Sequence, residues 1–63
     1  MRIRWSEKAK RLIKGYCLDF DEVESGLLKS SDHTFVHVIE NGGKRIVFTI
    51  DDENNIDAEI KLW

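Results

Sequence analysis

Sixty-three residues, 41% of them hydrophobic and 35% charged, with a net charge of −2, make one small folded domain and exclude a disordered tail. No apolar run reaches the length of a membrane-spanning helix. The only cysteine, Cys17, excludes an internal disulfide. A core of this size leaves a groove, a sheet face or a strand edge as the expected working surface, not an enclosed pocket.

The N-terminal Arg2-Ile3-Arg4-Trp5 segment alternates polar and apolar residues and predicts a short strand. No apolar stretch follows its arginines, so no signal peptide is expected and the cytoplasm is the expected setting. Ser6 then stands as a helix N-cap, with Glu7 at the positive end of the dipole. Ala9, Leu12, Ile13 and Tyr16 recur at helical spacing and predict one apolar stripe. Lys8, Lys10, Arg11 and Lys14 give that helix a cationic outer surface. Gly15 is expected to supply the left-handed turn at its end.

Asp19 caps a second helix, with Glu22 three residues on and Leu18 placed to contact Val23. Phe20, Val23 and Leu27 share a face, and Gly26 predicts a short helix. Residues 33–40 are rich in β-branched and aromatic side chains. Asn41-Gly42-Gly43 signals a hairpin, and residues 44–50 return. Residues 56–62 alternate, placing Ile56, Ala58, Ile60 and Leu62 on the buried side and Trp63 on the other. The fold class is therefore α+β. It is a two-layer sandwich over residues 1–63, in the order β-α-α-β-β-β, with an antiparallel C-terminal meander.

The hairpin register decides which face of the sheet is free, because a slip of one residue exchanges the faces of a strand. A three-residue loop pairs Glu40 with Lys44, Val38 with Ile46 and Val36 with Phe48. It leaves His33, Phe35, His37 and Ile39 uncovered beside Arg45, Val47 and Thr49, and it keeps His37 out of the core. A two-residue turn instead buries Phe35, His37 and Ile39. The first register is the expectation, and it leaves Phe35 and Trp63 as exposed binding residues.

The charge is unevenly placed. Residues 1–18 carry six cations against Glu7, a surplus of +5, and residues 19–63 carry four cations against eleven carboxylates, −7. The basic helix residues Lys8, Lys10, Arg11 and Lys14 suit RNA phosphates. His33, His37 and Arg45 are the one set suited to acid–base chemistry on a phosphate. The carboxylates Asp19, Asp21, Glu22 and Glu24 are explained by capping and the dipole. Cys17 reads as a small buried hydrophobe. Asp51-Asp52-Glu53-Asn54-Asn55 reads as a plain turn without an EF-hand's glycine and distal glutamate. No metal-ligand spacing, phosphate loop or nucleophile elbow is present, so neither metal nor cofactor is expected.

Ala9 and the run Leu18-Asp19-Phe20-Asp21-Glu22-Val23, with Trp5 and Lys8 ahead of them, resemble the RelE/ParE toxin superfamily. They are most similar to BrnT-type toxins and related small domains. Those domains open with a His-Ala-x-x-Arg-Met-x-x-Arg-Gly-Ile-Ser-x-x-Glu-Val motif followed by a three-stranded meander. Here the motif's His falls on Lys8, its arginines on Leu12 and Tyr16, and its Gly on Cys17. The resemblance implies a small ribonuclease acting on messenger RNA. The acidic balance and the missing polar groups argue against retained catalysis.

The leading expectation is a non-enzymatic macromolecule-binding protein, an inhibitor or a toxin-fold relative from a phage, virus or mobile element. It would act on a protein partner through its sheet face or edge strand. One alternative is an endoribonuclease using His33, His37 and Arg45. Another is a structural homodimer joined through the last strand and Trp63.

Overall fold

The computed structural model describes residues 2–39 and 43–62. Six elements follow in chain order: β1 (Arg4–Trp5), α1 (Glu7–Gly15), α2 (Phe20–Lys29), β2 (Thr34–Ile39), β3 (Lys44–Ile50) and β4 (Asn55–Leu62). The sheet order is β1-β4-β3-β2. β4 pairs antiparallel with β3, and β3 with β2. β1 pairs in parallel with only the first two residues of β4. The α+β architecture with a C-terminal antiparallel meander is the one the sequence leads to, and both helices pack on one face of the sheet.

Local chemistry starts and stops the helices. Ser6 Oγ accepts the Ala9 N–H at 3.0 Å, and Asp19 Oδ1 accepts the Asp21 N–H at 2.9 Å, each satisfying an orphan donor of the first turn. The end of α1 departs from expectation. Cys17, not Gly15, takes the left-handed conformation, with φ of 55°. The Leu18 N–H reaches back to the Ile13 carbonyl at 2.8 Å, and the Cys17 N–H to that of Lys14 at 3.4 Å. This is a Schellman closure with cysteine where glycine is the usual occupant. Cys17 is consequently exposed, not buried as its size suggested.

The core comprises Ala9 and Ile13 of α1, Val23 and Leu27 of α2, Ile46, Phe48 and Ile50 of β3, and Ile56 and Ala58 of β4. Trp5 meets Phe20 edge to face, with ring centroids 5.0 Å apart, which ties β1 to the start of α2.

The β2–β3 register differs from the expected one. Lys44 pairs with Ile39, Ile46 with His37 and Phe48 with Phe35. This is the register of a two-residue turn; the turn at 40–42, and with it the expected Glu40 pairing, lies outside the described residues. Phe35, His37 and Ile39 therefore face the helices, and Thr34, Val36 and Val38 face away from them. The physical reason lies in α2. A Cβ at Gly26 would sit 2.6 Å from Phe35 Cε2 and closer still to Cδ2, so the missing side chain makes the seat for the Phe35 ring. That ring also lies 6.2 Å from the Phe48 ring centre. Burying an aromatic ring there outweighs burying a valine. His37, which the other register was meant to spare, is only half-buried. Gly26 thus admits a partner side chain and does not shorten the helix, which runs ten residues through it.

Candidate functional site

The sheet face opposite the helices is open. Across it lie Thr34, Val36 and Val38 of β2, Arg45, Val47 and Thr49 of β3, and Asn55, Asp57, Glu59 and Lys61 of β4, as the pairings require. Val36 and Val38 are 46% and 50% exposed. Val36 stands directly opposite Val47, and Val38 opposite Arg45, which in turn stands opposite Lys61. The result is an aliphatic strip bordered at one end by two cations. β3 and β4 present the residues that the alternation pointed to, whereas β2 presents the opposite set.

β2 also has a bare edge. The His33 carbonyl accepts the Ile50 N–H at 3.2 Å, so the odd-numbered residues of β2 direct their backbone groups at β3. Thr34, Val36 and Val38 direct theirs outward, where the sheet holds no further strand among the described residues. The strand, Thr-Phe-Val-His-Val-Ile, contains no Lys, Asp, Glu or Pro. Edge strands usually carry such residues to discourage pairing.

The proposed acid–base residues are dispersed. His33 sits in the turn before β2 with φ of 56°. His37 is on the helix side of β2, and Arg45 is on the open face of β3. His33 thus precedes the strand and His37 stands within it, four residues further along the chain. The arrangement does not converge on one phosphate.

The basic stripe of α1 is partly engaged within the molecule. Lys10 Nζ lies 3.4 Å from Glu7 Oε1. Lys8 stands close enough to Asp57 to favour its ionised form. Arg11 and Lys14 are exposed. α1 lies across the helix side of β4, but Lys8 at its start reaches the rim of the open face, where it lines a shallow concavity with Val47, Thr49, Asp57 and Glu59. Phe35, expected to be exposed, is in the seat formed by Gly26, and Trp63 lies outside the described residues.

A concavity of about 500 Å³, open to solvent, lies where β1, β3 and β4 meet, lined by Arg4, Trp5, Thr49, Asp51, Asn55 and Asp57 among others. Its carboxylates are spent on structure. Asp51 Oδ1 accepts the N–H groups of Asn55 and Glu53, each at 2.9 Å, and these bonds hold its pKa below the ordinary value. Asp57 Oδ1 accepts the Ala58 N–H at 2.8 Å and the Ser6 hydroxyl at 2.9 Å. Those two bonds, with Lys8 nearby, hold its pKa down as well. Asp51 therefore organises the 51–55 turn, and Asp57 fastens the cap of α1 to β4. No group of three or more His, Cys, Asp or Glu placed to hold a metal occurs among the described residues. None of the described helices is long and apolar enough to cross a membrane.

No protein-family model, curated protein or solved structure matches this chain.

Proposed function

We propose that this domain is a non-enzymatic binding module that takes an extended protein segment along β2. The observation that carries the reading is the combination of an unguarded strand edge with the half-exposed valines beside it. Added strands draw affinity from main-chain hydrogen bonds, and alternate side chains supply specificity. Here the partner's alternate residues would lie beside Thr34, Val36 and Val38 on the open face, so the pairing favours a segment with apolar side chains at alternate positions. The dispersal of His33, His37 and Arg45 and the structural use of Asp51 and Asp57 weigh against catalysis in the same molecule.

The reading of the domain as a toxin-fold relative without chemistry draws support from Cys17. The family motif has glycine at this position, and the backbone here is left-handed. A left-handed residue at the position where the motif carries glycine is what such a relationship leads one to expect.

The test is co-purification from the native host with tagged wild-type protein and a Val36→Lys/Val38→Lys variant, both checked for folding by circular dichroism. A protein recovered in constant ratio with the wild type and absent with the variant is the expected result. Equal recovery with both, or growth arrest on expression that His37→Ala relieves, would overturn the reading.

A further inference from the structure

β4 has an open edge of a different kind. The Asn54 and Ile56 carbonyls accept the N–H groups of Arg4 and Ser6, each at 2.9 Å. Even-numbered residues at this end of β4 thus direct their backbone groups away from β3, toward β1. β1 ends at Trp5, opposite Ile56. Beyond it Ala58, Ile60 and Leu62 direct theirs into open space along the same side. The Ala58 N–H is taken by Asp57. Among the described residues, no strand meets the Ala58 carbonyl or the backbone groups of Ile60 and Leu62 on that side. On the helix side Ile60 is 42% exposed and Leu62 70%, and on the open face Glu59 and Lys61 alternate with them, 3.4 Å apart.

We infer that this edge pairs with a second copy of the chain, β4 against β4 in antiparallel sense, about a two-fold axis through Ile60. The charges select that register. A two-fold pairing through Glu59 sets two carboxylates face to face, and one through Lys61 sets two ammonium groups face to face, both unfavourable. Pairing through Ile60 sets Glu59 opposite the partner's Lys61, and Lys61 opposite the partner's Glu59. Each Ile60 exchanges both N–H···O bonds with its counterpart, and each Leu62 N–H reaches the carbonyl of the partner's Ala58. The exposed Ile60 meets its own copy, and Leu62 lies beside the partner's Ala58. The surface is self-complementary, as a two-fold interface must be.

A patch of one short strand edge is far smaller than a standard stable interface, so the dimer is weak and concentration-dependent. The inference concerns a different edge and a different occupant from the β2 reading, and each stands without the other.

The experiment is sedimentation equilibrium from about 10 μM to about 1 mM, where weak self-association of this class is read. Amide exchange of Ile60 and Leu62 is followed in the same samples. Wild type is expected to approach doubled mass, with both amides becoming protected as concentration rises. Glu59→Lys alone and Lys61→Glu alone each set like charges across the axis twice and are expected to weaken association roughly tenfold. Mixing the two single variants restores opposite charges at both pairs and is expected to yield the heterodimer. A monomer throughout, or single variants that associate as wild type does, overturns the inference. So does a mixture no more associated than its parts. Dimerisation that survives Lys61→Glu but is lost in Val36→Lys/Val38→Lys places self-association on β2 instead. That outcome rejects this inference and leaves β2 as a docking edge.

Discussion

The two halves of β4 share one alternating pattern and one face, yet they live in different surroundings. Ile56 and Ala58 are 1% and 4% exposed, whereas Ile60 and Leu62 are 42% and 70% exposed. The first half begins beside β1 and contributes to the core with residues of both helices. The second half extends past that cover while remaining paired with β3. Periodicity therefore specifies which side of a strand is apolar, but the reach of the opposing layer decides whether that side is dry. An apolar residue that escapes the layer becomes available for recognition.

The sharpest contrast comes from truncating the same face at both ends. Ile56→Ala is expected to destabilise by about 2–5 kcal/mol, a large share of the stability of so small a domain. Leu62→Ala is expected to change it by less than about 0.5 kcal/mol. Urea titrations of the two variants measure the difference, and comparable losses would mean that the outer half is covered after all.

The covering layer can be perturbed at its tightest seat. Gly26→Ala drives a methyl into the Phe35 ring, and overpacking of this sort costs about 1–3 kcal/mol, against a helix-propensity gain of at most about 1 kcal/mol. The net expectation is destabilisation, partly relieved when Phe35→Leu is added. A thermodynamic cycle over the two positions reads the coupling directly.

In the opposite direction, Cys17→Gly removes the penalty of a left-handed non-glycine residue where α1 turns toward α2. It is expected to stabilise by about 0.5–1 kcal/mol, seen as a higher melting temperature with unchanged Leu62 exposure.

The smallest effect is that of acid. Asp51 and Asp57 have folded-state pKa values below the ordinary 3.8. Their contribution is thus complete above the unfolded value and is lost as pH falls through the lower folded values. Stability is expected to be flat down to about pH 5 and to decline below about pH 4. Asp57→Asn should flatten part of that decline by releasing the tie between the Ser6 cap and β4, measured by denaturation at successive pH values.

Much of this was readable from the chain alone. Ser6 and Asp19 act as caps because short side chains with an acceptor oxygen reach the first-turn amides regardless of what packs around them. The alternation in 44–50 and 56–62 assigned the faces of β3 and β4 correctly because Ile46, Phe48 and Ile50 share one side of β3, and Ile56, Ala58, Ile60 and Leu62 share one side of β4. β2 could not be assigned in that way. Both of its faces carry apolar residues, Phe35 and Ile39 on one and Val36 and Val38 on the other, so neither register was excluded by pattern. The choice fell to a contact between residues far apart in sequence, the Phe35 ring over Gly26, which no local signal reports. The placement of His37 and Arg45 on opposite faces of the sheet follows from that same choice.

The amino-acid sequence by itself determined the class of fold, the helix starts and the faces of the last two strands, because each rests on short-range chemistry or strict periodicity. Only the tertiary structure decided which side of β2 is buried, where the helical layer stops along β4, and which strand edges are left open. Each of those depends on how far one element extends over another, and that is a property of packing across the whole chain.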